Sequence, residues 1–146
     1  MGRGRRIRSI GEVAQINVHV PVPDSPVTAH AIELLLNEIV TLASAAQEFT
    51  KYAVCVWGII EEWAMPPERI TDQLDGCYWE GIDHFSSSIK DAIQDIGVEY
   101  ESAGLAREAR SLVQGLAQHL ERARKTFDFD PLYVYALNAV DTLVGA

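Results

Sequence analysis

The residues best equipped for chemistry stand on one stretch of the chain: Asp72, Asp75, Glu80, Asp83 and His84. Carboxylates and an imidazole ligate divalent metals and move protons in hydrolysis. Glu80 and His84 are four residues apart, which places them on one face of a helix. Glu80, Asp83 and His84 are therefore the candidates for a metal-dependent carboxylate enzyme. Di-metal sites in helical bundles need more, a Glu-x-x-His pair from each of two helices and further glutamates. Here the run is Glu80-Gly-Ile-Asp-His84, one residue longer and present once. A solvated acidic face that continues to Asp91 and Asp95 accounts for the cluster more simply.

Other catalytic patterns stop short as well. Glu80 and Asp83 give the Glu-x-x-Asp half of the helical nucleotide pyrophosphohydrolase signature. The other half is missing, because Glu61 and Glu62 are followed at the required offset by Ala64 and Met65. His19, His30 and His119 are scattered, and no Gly-rich phosphate loop, nucleophile elbow or Cys-x-x-Cys is present. The chain reads as a non-enzyme, and no cofactor is expected.

Charge is the next constraint. The 146 residues carry 21 acidic and 12 basic side chains, a net charge of −9, which argues against a nucleic-acid binder. Arg3, Arg5, Arg6 and Arg8 hold a third of the basic charge in a terminal arm, the one segment suited to phosphates. Residues 58–102 hold eleven carboxylates against Arg69 and Lys90. Residues 103–125 reverse the sign, so an acidic and a basic helix are expected side by side. The 48% hydrophobic share suffices for one packed domain. No apolar stretch approaches the roughly 20 residues of a membrane span, and no apolar core follows the basic start as in a signal peptide. Cys55 and Cys77 show neither metal nor disulfide spacing. A soluble, cytoplasmic protein is expected.

These residues need a scaffold, and the pattern predicts an all-α bundle of about four helices behind an extended N-terminal arm. Residues 1–24 form the basic arm and 25–146 a single bundle domain. In the arm Ile16, Val18, Val20 and Val22 alternate with Asn17, His19 and Pro21, the strand period. Ser25-Pro26 is a cap followed by a first-turn proline, and no further proline occurs before Pro66. Ile32, Leu35, Ile39, Leu42, Ala46, Phe49, Ala53, Val56, Ile60 and Trp63 repeat at threes and fours. The two long antiparallel helices are placed at about 26–64 and 67–101, with Gly76 and Gly81 as possible kinks. Two shorter ones are placed at about 105–127 and 131–144, the last capped by Asp130-Pro131.

The first helix carries the functional expectation. Between Tyr52 and Ile60 it is apolar nearly all round, more than a four-helix monomer covers, and a contiguous apolar patch marks an interface. The expected function is that of a non-catalytic assembly or adaptor protein, a homo-oligomer that works through protein partners and not membranes. Its contact residues are taken as Val40, Val54, Cys55 and Trp57, with Ile16, Val18 and Val20 of the arm. A second reading is an acidic protein of the small viral-inhibitor kind, which seats Asp72, Asp75, Glu80, Asp83, Asp91 and Asp95 in a basic site of a nucleic-acid-handling partner.

Overall fold

The computed structural model describes residues 18–62 and 67–145, and of 67–72 the backbone alone. Four helices make up this part of the chain: α1 Pro26–Glu62, α2 Pro67–Ser102, α3 Arg110–Thr126 and α4 Asp130–Gly145. Among the described residues there is no strand. The helices form an antiparallel bundle in cyclic order. α1 packs on α2 and α4, and α3 packs on the same two, so α1 and α3 are diagonal.

The start of α1 follows from its sequence. The Thr28 N–H donates to Ser25 Oγ at 3.3 Å and the Ala29 N–H to the Ser25 carbonyl at 3.0 Å. Ser25 is thus the N-cap, and Pro26 loses nothing at a position without an intrahelical donor. Ile32, Leu36, Ile39, Ala43, Ala46 and Thr50 are the buried face of this helix. Leu35, Leu42 and Phe49, placed on the central seam by spacing, are only half-buried. Two neighbours explain the rotation, because the line of deepest burial bisects α2 and α4.

The short helices differ most from the sequence reading. α3 begins at Arg110 and not near 105, because Gly104 takes φ +75°. The Leu105 N–H then reaches the Tyr100 carbonyl at 2.9 Å and the Gly104 N–H reaches that of Glu101 at 3.0 Å. That pair of bonds is a Schellman stop. It leaves 105–109 outside any helix, with Ala109 buried. At the start of α4, the Asp128 carboxylate accepts the Asp130 N–H at 3.1 Å. The Phe129 N–H donates to Gln47 Oε1 at 2.6 Å. Asp130 is therefore the first helical residue and not the cap. α2 runs through Gly81 without a break. A Cβ there would lie 2.6 Å from the Phe49 ring, so the missing side chain lets α1 and α2 approach.

The described part of the arm lies on its own bundle. Val18 and Val20 are buried, and the Tyr100 hydroxyl donates to the Pro21 carbonyl at 2.8 Å. Burial pushes the Tyr100 phenol up to about 12, against about 10 in an unfolded chain. The folded state holds this proton more tightly, so its contribution to stability is complete below pH 10 and is lost as pH rises toward 12. Tyr78 and Tyr135 are raised in the same direction by burial. Thermal melts above pH 10 should therefore fall steeply for the wild type and less steeply for Tyr100→Phe. Near neutral pH that variant should lose about 1 kcal/mol with the hydrogen bond. Parallel alkaline slopes for the two proteins would contradict this assignment.

Candidate functional site

Helix lengths create the site. α1 and α2 have 37 and 36 residues, α3 and α4 only 17 and 16. At about 1.5 Å per residue the long pair spans roughly 55 Å and the short pair roughly 25 Å. α4 starts beside Gln47 and runs back along α1. Thr50 is the last buried residue of α1, and Tyr78 the first on α2 among the described side chains. Beyond that level α1 and α2 project as a two-helix layer with neither short helix beside them.

Aromatic rings close the root of the projection. Tyr78 stacks on Phe49 at 5.8 Å between centroids, and Trp57, Trp79 and Phe127 lie 5.5, 5.3 and 5.7 Å from it. Its hydroxyl shares a 3.1 Å hydrogen bond with Thr50 Oγ1. Burial raises its pKa, and the Thr50 bond opposes the rise. Phe127 reaches this cluster from a left-handed backbone, φ 59° and ψ 34°, at the C-cap of α3. A bulky side chain is rare there and costs of order 1 kcal/mol. The indole N–H of Trp57 is buried without a partner.

Above this root the surface is apolar. Tyr52, Val54, Ile59 and Val56 are 72%, 54%, 45% and 38% exposed, and Cys55 and Cys77 are exposed free thiols. On the outer side Phe49, Tyr52, Val56, Trp57, Cys77 and Tyr78 help to line a hollow of about 190 Å³. One 18-residue window of α1 has mean hydropathy 1.2, 28% of it buried. By length and composition it meets the requirement for a span, contrary to the expectation from the longest uninterrupted apolar run. Few charges interrupt this window, although its residues are not all apolar.

The residues singled out from sequence separate in space. Val54 and Cys55 lie exposed on the projection, whereas Trp57 is half-buried against Tyr78. Val40 is half-buried against the core of its own chain, and Val18 and Val20 are inside it. Ile16, Arg3, Arg5, Arg6 and Arg8 lie outside the described residues, as does the Asp72 side chain. Asp75, Glu80, Asp91 and Asp95 are exposed along α2. Asp83 Oδ1 accepts a 2.7 Å hydrogen bond from Arg124 of α3, which joins the acidic and basic helices. That bond commits the central carboxylate of the Glu80–Asp83–His84 trio. Among the described residues no three His, Cys, Asp or Glu side chains converge as metal ligands.

The aromatic root escaped the sequence reading, because it joins residues 49, 57, 78, 79 and 127 from three elements. The usable signal was the difference in helix length. No family model, no characterised protein and no solved structure matches this chain.

Proposed function

We propose that this chain is a non-catalytic assembly or adaptor protein that acts through protein–protein contacts and self-associates through the projecting half of α1. The exposed apolar band from Tyr52 to Ile59 carries this reading. Its residues extend a packed helix past the level where α4 begins, so on the sides away from α2 they remain in water, among the described residues, unless another surface covers them. Burying such side chains is worth about 25 cal/mol per Å², and large contiguous patches of this kind mark interaction surfaces.

A second reading keeps its own motive, the row of exposed carboxylates Asp75, Glu80, Asp91 and Asp95 on α2. These would meet a basic partner. Salt separates the two, since apolar association is nearly indifferent to it and charge-steered binding weakens with it. Sedimentation of the full chain over a concentration series, at low and high salt, tests the proposal. The expected result is a mass that rises with concentration in both buffers, with at most a modest loss at high salt. A monomer throughout would overturn self-association.

A further inference from the structure

Building on the self-association reading, we propose that two copies pair antiparallel through the outer side of the α1 projection, about a two-fold axis between residues 55 and 56. Tyr52, Cys55, Val56 and Ile59 are spaced three, four and seven apart from the first, which aligns them as one stripe. All four are exposed. Val54 belongs to another side. It stands two turns above Gln47, the residue bonded to the start of α4, and so continues the α4-facing line of the helix.

The stripe is its own complement. Antiparallel pairing about that axis sets Tyr52 of one copy opposite Ile59 of the other, and Cys55 opposite Val56. Ile59 then arrives beside the hollow of about 190 Å³ bordered by Phe49, Tyr52 and Val56. An aliphatic side chain filling a hollow between aromatic walls is the packing that interface centres use.

Charge fixes the direction. Lys51 is the one Lys or Arg in α1, and Glu62 is its last residue. Both flank the stripe on the same edge, on opposite sides of the axis. Antiparallel pairing brings Lys51 of each copy to within about two residues, roughly 3 Å along the helix, of the level of the other copy's Glu62. Parallel pairing would instead put the two copies of each residue at one level on opposite edges, so that no lysine meets a glutamate. Lys51 already lies 3.8 Å from Glu48 of its own chain, and the second carboxylate completes its surroundings. Rim charges of this sort set orientation more than affinity. A strip of about twelve helical residues is small for a standard interface, so the dimer dissociates on dilution.

The experiment uses the full chain with Cys77→Ser, which leaves Cys55 as its sole thiol, and a short bis-maleimide. Cross-linked dimer should form through Cys55 at concentrations where sedimentation shows dimer. Ile59→Glu should abolish both signals with an unchanged circular dichroism spectrum, whereas Val54→Glu should leave both intact. Lys51→Glu and Glu62→Lys should each weaken dimerisation about tenfold, and the double variant should restore it. Lys51 and Glu62 are about 16 Å apart along one helix, so rescue requires the second copy. A dimer that does not cross-link and shows no rescue would overturn the register while sparing self-association. A monomer at every concentration would overturn both. So would wild-type chain that floats with phosphatidylcholine vesicles and never dimerises, which would make the stripe a lipid surface.

Discussion

Gly115→Ala is expected to destabilise the protein by roughly 1–3 kcal/mol, although alanine is the better helix former by about 1 kcal/mol. Gly115 lies within α3, where a Cβ would overlap the Tyr135 hydroxyl and sit 2.5 Å from its Cζ. Tyr135 cannot swing aside freely. It is buried, and the His119 ring stacks on it at 4.3 Å. The same imidazole is held by a 2.7 Å hydrogen bond between Nδ1 and the Gly115 carbonyl. Gly97, inside α2, has nothing within 4 Å of the corresponding point. Gly97→Ala should therefore raise stability by about 0.5–1 kcal/mol, its propensity gain alone. Denaturant midpoints of the two variants should move in opposite directions. A shared increase would show that α3 and α4 do not approach at Gly115.

Local rules carried the sequence reading as far as they reach. Ser25-Pro26 marks the start of α1 because a cap acts within three residues. The absence of proline up to Pro66 makes its length legible. Periodicity names the buried faces but places them only to within a position. Leu36, Ala43 and Thr50 displaced Leu35, Leu42 and Phe49 because two neighbours, not one, define inside. The start of α3 was hidden because Leu105 fits its apolar spacing, while the left-handed Gly104 ends α2 with bonds that periodicity does not register. Gly81 and Gly115 look like weak points in a helix, and only the ring facing each reveals a close approach. For the candidate site, the apolar run from Tyr52 to Ile60 was readable outright. That Val40 turns inward while Val54 does not depends on where α4 begins, which a hydrogen bond from residue 129 to residue 47 decides.

Tyr78→Ala should be the most damaging single change at the root of the projection, costing about 3–5 kcal/mol. Native domains hold only about 5–15 kcal/mol in total, so a large fraction of the stability rests on this residue. Its ring is the shared contact of Phe49, Trp57, Trp79 and Phe127. Removing it leaves a cavity between α1, α2 and the α3–α4 corner. Tyr78→Phe is the informative control. It deletes only the hydroxyl, and Thr50 Oγ1 keeps its 2.9 Å bond to the Ala46 carbonyl. No buried group is then stranded, and the cost should stay near 1 kcal/mol. Hydrogen exchange locates the damage. In Tyr78→Ala the amides of 51–62 should lose protection before those of 32–50, because among the described residues the projection leans on α2 alone. Self-association should vanish with that protection and persist in Tyr78→Phe. If the alanine variant loses protection evenly along α1 while still associating, the ring cluster does not hold the projection, and the contact surface is elsewhere on the bundle.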